Sequence, residues 1–326
     1  MSFMRVWFHA RRAARFVWPG YVDLGESPDD TIVVAGTARS GTTWIGDVVA
    51  RATNSRIIFE PFLVDRHGGF AMSRPRGFPA RLKRNYQLYL PTNSGPLDYH
   101  FGQMERILRG QVRSFWSEMQ ARPGIFRHRV IKEIRANLFL GYLAENWPRT
   151  AIVLVLRHPS HVIHSQLAKI REGWRFDWNK TDVLSQEALM RDWLAPFEKT
   201  IAQAQGLVER LANKWCIETY VATEELRGRR NSLVVSYAEL AGQTASWTKV
   251  AQFFATLDWS ADACEAAIPV RSYTTARGLP SRDPGMTLDV AAQIAIGRVV
   301  EEYGLTELSR SLEYPQRRPD EGPSPS

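Results

Sequence analysis

A chain of 326 residues, 44% hydrophobic and 23% charged, has ordinary globular composition and enough length to bury a large core without disulfide staples. Its two cysteines, Cys216 and Cys264, exclude a secreted disulfide framework and match no metal-ligand spacing, and no stretch approaches the ~20 apolar residues of a membrane span. The net charge of +8 suits an anionic ligand or a membrane surface, while no RNP, zinc-finger or basic-zipper motif points to nucleic acid.

Residues 1–18 set Arg5, Arg11, Arg12 and Arg15 among Phe3, Val6, Trp7, Phe16 and Val17. The arginines break any signal-peptide core and leave a basic amphipathic helix as the expectation, packed on the domain or resting on anionic lipid. Residues 19–30 are rich in turn formers and read as a linker. Residues 31–35 form a short β-branched run, a buried strand by length, and a glycine loop follows at once. Apolar spacing over residues 42–53 predicts a helix, and residues 56–59 a second strand ending at Glu60-Pro61.

Residues 66–96 read as an insertion over the sheet. Helix is predicted over 101–119, a third strand over 129–132 and helix over 138–146. Residues 150–156 (Thr-Ala-Ile-Val-Leu-Val-Leu) are the clearest strand, apolar throughout as a strand covered on both faces should be. His158-Pro159-Ser160 opens the next helix, with proline in the first turn. An aromatic loop spans 173–179. Helices are predicted over 185–212, 217–228, 246–257 and 288–303, a strand over 232–235, and a loop over 271–287. Alternating strands and helices predict an α/β, P-loop-like three-layer fold, with a central mostly parallel sheet and helices on both faces. The expected organisation is a basic amphipathic segment and linker over 1–25, one α/β domain over 26–314, and a disordered tail over 315–326.

The chemistry concentrates first in Gly36-Thr37-Ala38-Arg39-Ser40-Gly41-Thr42-Thr43, between the first strand and its helix. The glycine spacing is that of a Walker A loop, in which backbone N–H groups and the helix N-terminus converge on an anion. The Walker lysine would fall at Thr42, and a basic residue stands instead at Arg39. Hydrolysis of ATP or GTP is therefore not expected, whereas a nucleotide with a short anionic chain fits. The second concentration is Arg157, at the end of the strand over 150–156, with Ser165 eight residues on. An arginine and a hydroxyl at the carboxyl end of a parallel strand suit a phosphate monoester.

Arg39-Ser40-Gly41-Thr42-Thr43-Trp44 resembles the 5′-phosphosulfate loop of the sulfotransferase superfamily, and Arg157, Pro159 and Ser165 resemble its 3′-phosphate motif. The motifs are closest to bacterial-type and carbohydrate sulfotransferases, and the resemblance covers most of residues 31–310 in order. His158 stands where Asp or Asn is commoner. Residues 234–240 resemble a family segment with Tyr-Glu-Asp-Leu. The resemblance implies 3′-phosphoadenylyl sulfate (PAPS) as co-substrate and no metal. Residues 39–44 would grip the phosphosulfate, Arg39 steadying the bridging oxygen, and Arg157 and Ser165 the 3′-phosphate. Arg277, in Arg277-Gly278, matches part of a late segment that adds to this site in some branches.

One base should take the acceptor proton. Glu60 is chosen: it follows the second strand, and Phe59-Glu60-Pro61 resembles the Tyr/Phe-Glu-Pro element of carbohydrate sulfotransferases. Cytosolic small-molecule sulfotransferases use histidine, which leaves His67, His100 and His128 as alternatives. Lys132 and Arg135 end the third strand, in place to contact the sulfuryl group or an anionic acceptor. Trp174, Phe176 and Trp178 suit stacking on a sugar as well as core packing. The reading is in-line sulfuryl transfer to a hydroxyl on a glycan, glycolipid or small molecule, by a cytoplasmic protein able to contact membrane peripherally. The alternatives are a divergent P-loop kinase or NTPase, and a non-catalytic nucleotide- or glycan-binding protein of the same fold.

Overall fold

The structure is a computed structural model that describes residues 20–62, 88–92, 98–114, 116–174, 180–242, 244–269 and 288–313. Five of its strands form one parallel sheet: β2 (Thr31–Ala35), β3 (Ser55–Phe59), β5 (His128–Glu133), β6 (Ala151–Leu156) and β7 (Ser232–Ser236), in the order β3-β5-β2-β6-β7. Every pairing is parallel, with Val33 of β2 opposite Ile131 on one side and Ile152 on the other. The five strands predicted from hydrophobic runs are all present, each within a residue or two of its expected bounds.

Alternation along these strands divides the core. Ile32, Val34, Val130, Val153 and Val155 face α1 (Thr42–Ala52) together with Ile45, Val48 and Val49. Val33, Ala35, Ile131, Ile152 and Leu154 face the opposite layer, against Leu140, Leu143, Leu211 and Trp215. All five residues of β2 are buried, as a central strand covered on both faces requires. The expected three-layer α/β architecture is thus observed.

The remaining helices of that second layer include α2 (Asp98–Leu108), α3 (Leu140–Asn146), α4 (Pro159–Arg171), α5 (Leu207–Leu226) and α6 (Val290–Glu302). The helix expected over 101–119 stops at Leu108. Gly110, in a left-handed conformation (φ 66°), closes it: Gln111 N donates to Arg106 O and Gly110 N to Ile107 O. The two helices expected over 185–212 and 217–228 divide elsewhere. A π-turn and a 3₁₀ turn containing Pro196 interrupt the first, and α5 then runs unbroken across 213–216.

Residues 19–30, expected as a linker, contain β1 (Tyr21–Asp23), which pairs in parallel with β4 (Gly124–Phe126) as a separate two-stranded sheet. A buried ion network binds it to the starts of β3 and β5. Asp23 Oδ2 accepts from Arg56 Nη1 at 2.7 Å and from Arg129 Nε at 2.9 Å, and Arg56 Nη2 also reaches Glu118 Oε1 at 2.7 Å. Arg129 is fully buried, and its other nitrogens donate to the carbonyls of Gly25, Ser27 and Leu108.

Candidate active site

The strand order places a topological switch point at β2 and β6. The chain leaves β2 toward β3 on one side and leaves β6 toward β7 on the other, opening a crevice at the carboxyl ends of the two strands. The glycine loop and Arg157 both lie there. Gly36 is required by close approach: a Cβ on it would lie 2.4 Å from the Val155 carbonyl oxygen of β6. Gly41, the N-cap of α1, has φ 90°, and a Cβ there would meet the Tyr237 ring at 2.2 Å. No side chain caps this helix, so the Thr42 and Thr43 amides that open it have no acceptor within the helix.

The two predicted anchors meet in space. Arg39 Nε donates to Ser165 Oγ at 2.9 Å, and Arg157 Nη1 donates to the Arg39 carbonyl at 3.1 Å. Gln166 Nε2 ties the loop down further through Ala38 O at 2.9 Å. The Arg157 guanidinium stacks 4.5 Å above the Tyr237 ring, and Trp215 Nε1 fixes its backbone carbonyl. Neither Arg39 nor Arg157 has an ion pair among the described residues. Burial first, and the facing Arg157 charge second, pull the Arg39 pKa below its ordinary value. Ser40 Oγ and Arg157 Nε are buried without a hydrogen-bond partner among the described residues. Two cations with no ion pair among the described residues, beside orphaned polar atoms, form a cradle suited to a polyanion.

His158 explains its own departure from Asp or Asn. Its Nδ1 accepts from Ser160 N at 3.3 Å, capping α4 as a carboxylate or amide would, and Pro159 follows at the first helical position.

Glu60 sits just past β3, separated from the glycine loop by β5, or about 10 Å across the sheet. It is 4% exposed and ionically caged. Lys132 Nζ donates to Oε1, Arg135 Nη1 to Oε2 at 2.8 Å, and Trp116 Nε1 to Oε2 at 3.3 Å. Burial opposes its ionisation, but Lys132 and Arg135 outweigh burial and hold its pKa below the ordinary value. Beside it, the fully buried Glu133 accepts from the amides of Phe62, Ile134 and Arg135. Burial pushes its pKa up.

Among the described residues, three non-glycine positions take left-handed backbone conformations: Arg39 (φ 79°), Asn54 (φ 44°) and Glu60 (φ 44°). Asn54 occupies a tight turn, where asparagine tolerates this geometry. Arg39 and Glu60 are the two residues read from sequence as catalytic, and strain of this kind gathers at functional sites.

His128 begins β5 and so lies at the amino end of the sheet, opposite the glycine loop. That position removes it from the candidates for the base. His67, Arg277, Phe176, Trp178 and the N-terminal arginines lie outside the described residues, as does the side chain of His100. Trp174 is half-exposed at the edge of the aromatic loop. Tyr237, read only as part of a family-like segment, proves to be the ring under Arg157. The Lys132–Glu60 pair was not anticipated either, since the partners come from different strands.

Residues 31–261, more than two thirds of the chain, match the model of the sulfotransferase family. The chain belongs to the sulfotransferase family. Within this sulfotransferase, the matched span contains both anchors and Glu60. Solved structures similar over most of the chain include mouse sulfotransferase SULT7A1 complexed with PAP (12% identity, 89% of this chain and 90% of that one, TM-score 0.44). Retinol dehydratase in complex with androsterone and the inactive cofactor PAP is another (15% identity, 96% and 88% covered, TM-score 0.42). No curated protein sequence matches the chain.

Proposed function

We propose that this sulfotransferase moves the sulfuryl group of PAPS to an acceptor hydroxyl by in-line displacement. The observation that carries the reading is the convergence of Arg39, Arg157 and Ser165 at the switch point, two cations with no ion pair among the described residues beside a helix N-terminus. That arrangement matches a ligand with two separate anionic groups. The loop over 36–43 takes the 5′-phosphosulfate through its amides, Ser40, Thr42, Thr43 and Arg39, with Trp44 packed behind it. Arg157 and Ser165 take the 3′-phosphate, with Arg277 as an additional contact.

In the reaction the bond from sulfur to the bridging phosphate oxygen breaks and a bond from sulfur to the acceptor oxygen forms. The bisphosphate departs with its new charge held by Arg39, and Glu60 takes the acceptor proton. Glu60 stays ionised at neutral pH because Lys132 and Arg135 hold it so. A weakly basic carboxylate accepts that proton late, once bonding to sulfur has made the hydroxyl strongly acidic. Lys132 and Arg135 also place positive charge beside the sulfuryl path. No metal is needed in this scheme.

The acceptor class we favour is a glycan or glycolipid hydroxyl. It is supported by the Phe59-Glu60-Pro61 string and by the exposed ring of Trp174. We place the protein in the cytoplasm, with peripheral contact to anionic membrane through residues 1–18. Support comes from the pattern of Arg5, Arg11, Arg12 and Arg15 set among apolar residues in that segment. Equal recovery of the full chain and of residues 19–326 on anionic vesicles counts against that contact.

Calorimetry with 3′,5′-adenosine bisphosphate and with ATP tests the nucleotide. Binding of the bisphosphate supports the reading, and tight binding of ATP alone overturns it in favour of a kinase-like protein. Transfer from labelled PAPS to a glycan panel, with Glu60→Ala and Glu60→Gln as controls, tests catalysis. Bisphosphate binding with no transfer to any acceptor leaves the non-catalytic alternative.

A further inference from the structure

We infer that Glu133 is a positioning residue that holds Glu60 and Arg135 in register and tunes Glu60. The inference rests on the reading of Glu60 as the base. Glu133 ends β5 and has no exposed surface. Its Oε2 accepts from Phe62 N at 3.0 Å, two residues beyond Glu60. Its Oε1 accepts from Ile134 N at 2.8 Å and from Arg135 N at 3.0 Å. One carboxylate therefore joins the turn that follows β3 to the turn that follows β5. These are the turns that carry Glu60 and Arg135, respectively.

The same joint fixes the charges. Arg135 Nη1 lies 2.8 Å from Glu60 Oε2 and 3.6 Å from Glu133 Oε1, so one guanidinium serves both carboxylates. Glu60 receives Lys132 on its other oxygen, and its backbone N–H donates to the Lys132 carbonyl at 2.8 Å. Lys214, from α5, pairs with Glu218 and feels the repulsion of Arg135. The charged groups that bear on the pair are thus Lys132 and Arg135. With Glu133 present, Arg135 is shared between two acceptors. With an amide in place of the Glu133 carboxyl group, Arg135 turns to Glu60 alone, which deepens the ionised state of Glu60 and weakens it as a base. The left-handed backbone at Glu60 (φ 44°) needs such a brace, since the conformation is unfavourable for a non-glycine residue.

The test compares Glu133→Gln with Glu133→Asp in the full chain, using bisphosphate binding, kcat, KM for PAPS and the pH dependence of turnover. Glu133→Gln keeps the shape and replaces one acceptor oxygen with a donor NH2. Expected are native-like bisphosphate affinity, kcat lower by about 10- to 100-fold and an acid limb of the profile moved to lower pH. Glu133→Asp keeps the carboxyl group and shortens the reach, so kcat falls while the acid limb stays nearer its native place. A purely structural role predicts losses of Tm and of bisphosphate binding without movement of the limb, and that result overturns the inference. So does a kcat within twofold of native in either variant. If Glu60→Gln retains full turnover, the base assignment itself fails, and that outcome is read independently of the Glu133 variants.

Discussion

Arg39 Nε donates to Ser165 Oγ across 126 residues of sequence, which joins the glycine loop of β2 to the helix that follows β6. This bond makes the two anion sites one unit. Arg157 closes the circuit through the Arg39 carbonyl.

Removing either partner of the second anchor should therefore weaken the nucleotide without unfolding the protein. Charge-assisted hydrogen bonds contribute about 1.5–3 kcal/mol. Arg157→Ala is expected to raise the Kd for 3′,5′-adenosine bisphosphate by roughly 10- to 100-fold, and Ser165→Ala by less. Both should leave Tm near native, because among the described residues Arg157 makes no ion pair that its loss would break. Calorimetry and thermal unfolding check the pair together.

Gly41→Ala is expected to be severe for a different reason. The added Cβ meets Tyr237 at 2.2 Å, and φ of 90° is unfavourable for any L-residue. Bisphosphate binding should be lost and Tm should fall. The double variant Gly41→Ala with Tyr237→Ala removes the clash and keeps the backbone strain, on the order of 1–3 kcal/mol. Only partial recovery of Tm is expected.

Glu60→Gln should abolish most turnover, by about 10²- to 10⁴-fold, with the bisphosphate Kd within a few-fold of native. It should also destabilise, since Lys132 and Arg135 lose a buried partner. The folded-state pKa of Glu60 is depressed, so its contribution to stability is present above its ordinary value of 4.5. That contribution disappears as pH falls through the folded value. A plot of stability against pH should therefore lose part of its acid slope in Glu60→Gln.

Glu225 carries the opposite sign. Burial first of all lifts its pKa to about 8, although the Gly141 amide donates to Oε2 at 3.0 Å. The native state then holds a proton that the unfolded chain has released. Stability from this group is fullest below pH 4.5, declines as pH rises and levels off above about 8. The decline amounts to a few kcal/mol, at about 1.4 kcal/mol per pKa unit. Glu225→Gln should flatten the curve between pH 5 and 8, and chemical denaturation across that range measures it.

Much of this was legible in the residues. The strands over 31–35 and 151–156 announce themselves because burial on both faces demands unbroken apolar runs. The glycine loop is legible because close approach to Val155 and a left-handed N-cap leave only glycine, and Arg157 and Ser165 because a strand end followed by about two turns of helix sets their spacing. What stayed hidden depends on partners distant in sequence. β1 and β4 are three residues each, too short for periodicity to register, and they exist because Asp23 neutralises two buried arginines. The break before α5 and the stop at Gly110 were missed because apolar spacing continued through both. The cage around Glu60 needed the sheet order, which puts β5 beside β3 and Lys132 beside Glu60.

The ion network at the amino end of the sheet sets where the protein can be cut. Arg56 and Arg129 are almost wholly buried, and Asp23 is shared between them. The family match begins at Thr31, and a chain begun there would bury both guanidinium groups with their common counter-ion missing. Loss of one partner from a buried ion pair costs about 3–5 kcal/mol, comparable to the whole stability of many domains. The smallest stable unit therefore keeps Asp23 with its strand and starts no later than Tyr21, ten residues ahead of the sheet's first central strand.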